Sequence, residues 1–407
     1  MLSTTAIAAA LLLAVAIAIA ADRTGSIQLP DARGRIGCID GLRGYLATGV
    51  VIHHFVIWLG LLQGRPWEPP SNHVFQNLGQ GAVVLFFMVT GALFYGKISD
   101  GFAKVDWRAL YVSRAFRLAP LFWFVFLLVN LIVFIRQGFA FPTTLAEYAP
   151  AAARWLLFID LPPIGGDRDT SRIVADAPWT LTYEWICYFA LPLLAVVFGF
   201  ARPVALRLFV IAVLALSSAL AVRTVALSDV VGLSLMFAVP FLLGMMAIEI
   251  ARQPSLRKLL ISPWAAMIGG VALTIEMTTF ASSFAFTPSV ILALFFAPVA
   301  AGNSYFGVFS ARPSIVLGEA SYGIYLLHGV VLYIALADAK PFMDRYGPAP
   351  FWLALPFIVA AVVAAAILAH GLIEKPAIRA GRSLARSRFL RRRDAKTDGR
   401  QGRVAGA

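Results

Sequence analysis

The stretch DGLRGYLATGVVIHHF, residues 40–55, places one arginine and two histidines in an otherwise apolar run. Arg43 and His54 are eleven residues apart, so a helix rising about 1.5 Å per residue carries His54 roughly 16 Å beyond Arg43. That depth is about half of a ~30 Å hydrocarbon core. An ionisable side chain there is costly unless it faces protein or water, which makes His54 a candidate functional residue. The alternative is a histidine that only donates a hydrogen bond to a neighbouring helix.

The adjacent histidines also carry a geometric constraint. Neighbours on a helix point about 100° apart, so only one of His53 and His54 can face a given direction. The other is expected to support the structure or to lie at the lipid interface.

The composition of the chain is that of a membrane protein. Of its 407 residues, 60% are hydrophobic and 14% are charged, whereas about 25% charged residues is usual in soluble domains. Several apolar runs reach the ~20 residues that cross a bilayer, and the alternating pattern of barrel strands is absent. The sequence therefore predicts an all-α, polytopic transmembrane helix bundle.

Ten core spans are predicted, at 44–62, 78–96, 118–135, 179–200, 207–225, 230–250, 263–282, 285–301, 314–336 and 351–373. With Arg43 on the inside, the inside loops carry most of the Lys and Arg residues, among them Lys97, Arg207 and Arg252. This bias predicts a cytoplasmic C-terminus. The predicted domains are an N-terminal segment with a basic linker at 1–35, a membrane domain at 36–378 and a basic tail at 379–407.

Residues 4–21 form an additional Ala-rich apolar run. The run lacks a basic n-region, which weakens a signal-peptide interpretation, and Arg23, Arg33 and Arg35 follow it. We predict an extra helix whose N-terminus lies outside. A cleaved signal peptide and a misassigned start codon are the alternatives.

The net charge of +13 is concentrated in part in the tail, between Arg379 and Arg393. Positive charge just after a last span is typical of a solvated cytoplasmic tail or of contact with anionic membrane lipids, so no nucleic-acid partner is expected. The two cysteines, Cys38 and Cys187, belong to no CxxC motif or Cys/His cluster, and no metal site is predicted.

One connection, residues 136–178, is much longer than the others and is placed outside. Long loops are often functional, so this loop is a candidate wall or lid for an external substrate. An irregular connector is the alternative.

Four further side chains are candidates for chemistry. Arg114 and Arg117 share a helical face and can bind phosphate through forked hydrogen bonds, although arginines also mark the inner ends of spans in any membrane protein. Glu184 enters an apolar helix from the outer side and should need a partner. It could orient an acceptor hydroxyl or a histidine, and a buried structural pair is the alternative. His328 lies deep in a span, with Tyr325 one turn before it.

Six motifs occur in order along the chain: DGLRG at 40–44 with His54, FFMVTG at 86–91, RAFR at 114–117, WTLTYE at 179–184, SYGIYLLH at 321–328 and EKP at 374–376. Together they resemble the membrane acyltransferase-3 family, over about residues 36–380. Members of this family O-acylate sugars and other surface or secreted molecules, as O-antigen and nodulation-factor acetylases do. Thr90 is a mild departure, since the family often has serine there.

The resemblance implies a multi-pass enzyme of the bacterial inner membrane with no permanently bound cofactor. Its donor would be acetyl-CoA or another acyl-CoA, and its acceptor a glycan or lipid-linked sugar. The acyl group would move directly or through a covalent intermediate.

The resemblance also implies roles for individual residues. Arg43 and His54 look like the family's Arg–His pair, with His54 the proposed catalytic base. Arg114 and Arg117 look like the pair implicated in handling the acyl-CoA donor. Arg43 is expected to serve donor binding or helix packing, because roughly 16 Å is too far for direct contact with His54 on one helix. Two further matches to recurring motif positions, with less defined catalytic roles, are Glu184 and His328.

Two other classes of protein are alternatives. A secondary transporter would use the buried histidines and Glu184 as a proton relay, but the paired broken helices of transporters are absent from the sequence. A lipid-linked sugar glycosyltransferase would be expected to carry an acidic pair in its first external loop, where residues 63–77 offer only Glu68. Dependence on acyl-CoA separates both from an acyltransferase.

Overall fold

The computed structural model describes residues 2–27, 29, 36–140, 142–226 and 228–385. Residues 30–35 of the predicted basic linker and residues 386–407 of the predicted tail lie outside the described residues, and Arg33, Arg35 and Arg393 lie among them. The described part of the chain contains helices and no named strand. The prediction of an all-α bundle is confirmed.

Eleven helices or bent helix pairs account for the predicted spans. Eight helices are long and apolar enough to cross a membrane in the described chain, and two bent pairs raise this number to ten. The long helices are α1 (Leu2–Arg23), α2 (Gly37–Leu62), α3 (His73–Ile98), α4 (Trp107–Arg136), α7 (Trp179–Phe200), α8 (Val204–Thr224), α9 (Asp229–Ala251) and α16 (Ala349–Ala369). The shorter helices are α5 (Leu145–Leu156), α6 (Thr170–Ile173), α10 (Pro254–Leu260), α11 (Pro263–Thr279), α12 (Phe286–Ala301), α13 (Arg312–Glu319), α14 (Ser321–Leu336) and α15 (Lys340–Tyr346). Of these, α5, α6, α10 and α15 lie outside the predicted spans.

The predicted span 314–336 is not a single straight helix. It consists of α13 and α14, which meet at an angle of 64°, and α10 and α11 meet at the same angle. At the bend between α13 and α14, the hydroxyl of Ser321 donates a hydrogen bond to the carbonyl of Gly318 at 2.7 Å. The start of α11 is set by Ser262, whose side chain caps the helix, and by Pro263 at its first position. Apolar periodicity alone contains no signal for such bends.

The Ala-rich N-terminal run forms α1, which packs against α16. Its buried face is a row of alanines four residues apart, at Ala6, Ala10, Ala14 and Ala18, and small side chains of this spacing let two helices approach closely. At its end, both carboxylate oxygens of Asp22 accept from Arg312 at 2.8 Å. The run is therefore a helix of the bundle, as the extra-helix interpretation predicted.

Helices α3 and α9 cross at a point where neither backbone leaves room for a side chain. A Cβ on Gly91 would overlap the carbonyl oxygen of Phe241, and a Cβ on Gly244 would overlap the carbonyl oxygen of Met88. This contact fixes α3, which supplies one wall of the site described below.

We expect Gly244→Ala to destabilise the protein by about 1–3 kcal/mol, because the added methyl group must push two backbones apart. Gly270→Ala is the matched control, since a Cβ at Gly270 meets no atom within 4 Å, and there alanine should stabilise the helix by up to ~1 kcal/mol. Thermal unfolding of the detergent-solubilised variants measures both effects. Equal melting temperatures would contradict this account of the crossing.

The long connection 136–178 returns into the bundle. It contains α5, which begins with a capping box between Thr144 and Glu147, and α6. Its last part, residues 174–177, is almost entirely buried, with Ala175 and Asp176 in left-handed backbone conformations. A Cβ on Gly329 would overlap the backbone of Val174, so this segment lies directly against α14.

Because of this re-entry, α7 starts deeper in the bundle than the order of the predicted spans implies. The carbonyl of Ala177 accepts from the Tyr325 hydroxyl at 2.5 Å, and Tyr325 lies only one turn from the start of α14. Helix α7 therefore begins well inside the bundle. Glu184 consequently lies near the end of the bundle that carries Arg43, and not near the opposite end as the span order suggested. We call these the arginine end and the opposite end.

Candidate functional site

A cavity of about 460 Å³ opens at the arginine end. Its walls come from α2, α3, α4, α7, α9 and α14, and four of the residues predicted from the sequence line it: Arg43, Arg114, Arg117 and Glu184. Side chains from three different helices, separated by up to 141 positions, therefore meet in one place. A volume of this size is in the usual range of small-molecule sites.

The cavity is cationic. Arg43, Lys97, Arg114 and Arg117 line it, against two carboxylates, Asp40 and Glu184. One carboxylate is an ion-pair partner of Arg43, at 3.6 Å between Oδ1 of Asp40 and the guanidinium. The other accepts a hydrogen bond from the hydroxyl of Tyr188, one turn later on α7.

The surplus of positive charge fits an anionic ligand with several phosphate oxygens, which arginine binds through paired donors. The Arg114 guanidinium and the Lys97 ammonium group both lie over the Phe94 ring, 5.3 and 5.4 Å from its centroid. The aromatic ring thus holds two of the cations in place at the cavity mouth.

Lys97 was treated in the sequence as one more inside-loop charge. In the structure it ends a row on α3 that runs Phe86, Thr90, Leu93 and Lys97, all of which line the cavity. Their spacing of four, three and four residues is that of one helical face. The spacing in the sequence therefore already placed Lys97 on the same helix face as Phe86 and Thr90 of the FFMVTG motif.

The two candidate histidines form a pair in the core of the bundle. Nε2 of His328 lies 3.0 Å from Nδ1 of His54, and Nδ1 of His328 lies 2.6 Å from the carbonyl oxygen of Tyr325. A carbonyl only accepts, so in neutral His328 the proton is on Nδ1 and Nε2 is the acceptor.

It follows that His54 donates from Nδ1 to His328. The same N–H also lies 3.1 Å from the carbonyl oxygen of Val50. With its proton on Nδ1, a neutral His54 carries the free lone pair on Nε2. His328 is fully buried, whereas His54 keeps part of its surface accessible. The pair thus presents one basic nitrogen, on the histidine that is not fully buried.

The neighbouring histidine has a different environment. His53 uses Nδ1 to contact the carbonyl of Phe75 on α3 at 2.8 Å, and its ring occupies the space beside Gly79. His53 therefore joins α2 to α3, while His54 joins α2 to α14. This separation of adjacent histidines onto different helices agrees with the 100° step between them.

The histidine pair adjoins the cavity without lining it. Tyr325 does line the cavity, and its ring centroid lies 6.0 Å from that of His328. Its hydroxyl is held by Thr180 at 2.6 Å in addition to Ala177, and the Phe86 ring lies against it at 6.2 Å. Tyr325, with Phe86 packed against it, therefore stands between the cationic cavity and His328.

Glu184 contacts neither histidine among the described hydrogen bonds. Its described partner is Tyr188, on the cavity wall. The position favours a role beside the arginines over one beside His54, which was one of the roles considered from the sequence.

A buried polar cluster near the cavity escaped the sequence analysis. Glu249 on α9 is only 1% exposed, accepts from the Tyr95 hydroxyl at 2.9 Å, and pairs with Arg252 at 3.3 Å and Arg207 at 3.6 Å. Arg207 and Arg252 also bind Ser99 at the end of α3. These arginines, predicted only as topogenic charge, thus join α3, α8 and α9.

Among the described residues, no group of three or more His, Cys, Asp or Glu side chains is arranged to hold a metal ion.

A protein-family model described as "Acyltransferase domain" matches residues 36–370. No curated protein and no solved structure matches the chain.

Proposed function

The chain belongs to the acyltransferase-3 family, and we propose that it moves an acetyl group from acetyl-CoA to a hydroxyl of a sugar or glycan. The observation that carries the proposal is the juxtaposition of a cationic cavity and a histidine with a free Nε2. A coenzyme A thioester needs the first for its phosphates, and hydroxyl acylation needs the second as a base.

The donor binds at the arginine end. Its phosphates pair with Arg114, Arg117 and Lys97, and Arg43 supports this site together with Asp40. The pantetheine arm then extends past Phe86 and Tyr325 towards His54. Binding of this kind positions the thioester and lowers the entropic part of the barrier.

His54 is the general base. Its Nε2 takes the proton from the acceptor hydroxyl while that oxygen attacks the thioester carbonyl carbon. The tetrahedral intermediate collapses, the carbon–sulfur bond breaks, and the proton on His54 passes to the departing thiolate. His328 keeps the His54 proton on Nδ1 throughout, so that Nε2 stays available, in the way that the third residue of a triad orients its histidine.

The arginine end faces the cytoplasm and the opposite end faces the outside, in the bacterial inner membrane. The positive-inside bias of the loops supports this orientation, as does the need for a cytoplasmic pool of acyl-CoA. The acceptor then reaches His54 from the opposite end, beside the re-entrant segment 174–177. The C-terminal tail lies in the cytoplasm.

The proposal is tested with sealed membrane vesicles and radiolabelled acetyl-CoA, which does not cross the bilayer. Inside-out vesicles containing the wild type should transfer label to the glycan fraction, and right-side-out vesicles should not. Transfer with the opposite sidedness would overturn the orientation. A wild type that neither binds nor consumes any acyl-CoA would overturn the acyltransferase proposal, and proton-coupled transport would be measured next.

We expect His328→Ala to lower kcat by roughly 10²-fold with little change in the KM for acetyl-CoA, because Nδ1 of His54 then keeps only the Val50 carbonyl as its acceptor and the ring is held less firmly. His328→Asn should recover part of that loss, since its amide oxygen can accept from Nδ1 of His54. Steady-state kinetics of both variants measure the effect. Equal loss in the Ala and Asn variants would show that His328 serves packing alone.

A further inference from the structure

Beyond His54, towards the opposite end, lies a cluster of three aromatic side chains: Trp58, Trp67 and Tyr333. The Trp58 ring packs edge-on against Trp67 and against Tyr333, with centroids 5.3 and 5.9 Å apart. Trp58 is 3% exposed, while the other two are half-buried. We call this set the aromatic cluster; its centre is buried and its rim is open.

The indole N–H of Trp58 is buried and has no hydrogen-bond partner in the described part of the chain. Buried tryptophans usually do find one, because an unsatisfied donor is costly. The buried Trp155 follows that rule and donates to the carbonyl of Pro162 at 2.9 Å, whereas the Trp185 indole, on another helix, is also without a partner among the described residues. The Trp58 donor is thus in place for an oxygen that the chain does not supply.

Trp58 lies one helical turn after His54 on the same face of α2. Helical side chains lean towards the N-terminus of their helix, so the indole leans towards the turn that carries His54. Because His54 is not fully buried, a ligand whose oxygen accepts from Trp58 would have its neighbouring groups beside the helical turn that carries His54.

The rim of the cluster adds charge. The Arg136 guanidinium lies 5.4 Å from the centroid of the Tyr333 ring and is bound by both carboxylate oxygens of Asp338, at 3.1 and 3.2 Å. A site of aromatic faces, one buried N–H donor and a charged rim suits a molecule that has apolar C–H faces and many oxygens. An acyl chain would leave the N–H unsatisfied.

We propose that the aromatic cluster is the acceptor subsite and that it binds a pyranose ring, with Trp58 donating to a ring or hydroxyl oxygen and an adjacent hydroxyl directed at His54. This inference rests on the proposed acyltransferase function. It assigns the acceptor to the opposite end of the bundle from the donor, so each substrate contacts His54 from its own side.

The test is Trp58→Phe, which keeps an aromatic ring and removes the N–H donor together with part of the ring volume; the matched control loses the same volume. The matched control is Trp185→Phe on α7, whose indole nitrogen is likewise buried without a partner among the described residues. Membranes with each variant receive radiolabelled acetyl-CoA and increasing amounts of the isolated glycan fraction. We expect Trp58→Phe to raise the glycan concentration for half-maximal transfer by about tenfold, as one lost hydrogen bond predicts, with an unchanged KM for acetyl-CoA.

Trp185→Phe should match the wild type in both constants. The acceptor subsite is wrong if Trp58→Phe also matches the wild type, if both variants lose affinity equally, or if the wild type labels only lipid hydroxyls that carry no sugar. A wild type that transfers no label to any fraction, and does not bind acetyl-CoA, refutes the acyltransferase proposal itself, and the subsite falls with it.

Discussion

His54→Ala is expected to lower kcat/KM for acyl transfer by about 10³- to 10⁴-fold, the range that a lost general base typically costs. The reason lies in the geometry of the histidine pair. Nε2 of His54 carries the available lone pair, whereas both nitrogens of His328 are engaged, one with the Tyr325 carbonyl and one with His54. Nothing in the pair can take over as the base. Transfer of radiolabelled acetyl groups by membranes that contain equal amounts of each variant measures the loss.

His53→Asn is the matched control for this experiment. The residue is adjacent in sequence and at similar depth, but it contacts Phe75 on α3, and asparagine can still donate to that carbonyl. We expect its activity to stay within roughly tenfold of the wild type. Binding of acetyl-CoA by His54→Ala shows that the variant is folded. Full activity of His54→Ala, or an equal loss in His53→Asn, would remove His54 from the catalytic role.

The architecture could be predicted from the sequence because its signals are local. Each span is a run of apolar residues, and Ala6 to Ala18 show their helical packing face by spacing alone. The cationic patch was partly predictable for the same reason, since Arg114 and Arg117 are neighbours on one helix face. Lys97 belongs to the same kind of pattern along α3 and was overlooked because a lysine at a helix end has an ordinary topogenic explanation.

The contacts that create the site are not local. His54 and His328 are 274 residues apart, and no spacing rule joins them. Glu184 was placed near the wrong end because the segment before α7 re-enters the bundle, held by Ala177 and the Tyr325 hydroxyl. Glu249 looked like one more residue of an apolar helix, although three helices converge on it. Such pairings depend on tertiary packing, which local patterns in a sequence do not reveal.

The separation of cavity and histidine pair has a chemical consequence. Tyr325, with Phe86 packed against it, lies between them and is fixed by hydrogen bonds to Thr180 and Ala177, whereas Phe86 has no such anchor. In the proposed mechanism the donor therefore reaches His54 by passing Tyr325 and Phe86. Such an arrangement keeps bulk water on the phosphate side away from the reacting carbonyl, which limits hydrolysis of the thioester.

The double variant Arg114→Ala/Arg117→Ala is expected to raise the KM for acetyl-CoA by at least ~10²-fold, since each charge-assisted hydrogen bond contributes about 1.5–3 kcal/mol. Arginines at the inner ends of spans also have a topogenic role, so the loss by itself does not identify phosphate binding. S-acetylpantetheine separates the two explanations, because it carries the thioester without the phosphates.

With S-acetylpantetheine as donor, the double variant should match the wild type in kcat/KM, because the groups that the arginines bind are already gone. Arg108→Ala is the control on the same helix, since Arg108 is exposed and does not line the cavity, and it should be normal with both donors. A double variant that loses as much with S-acetylpantetheine as with acetyl-CoA would assign Arg114 and Arg117 to topology or packing. The cationic cavity would then not be the binding site of the donor phosphates, and the proposed donor route from the cavity past Phe86 to His54 would be wrong.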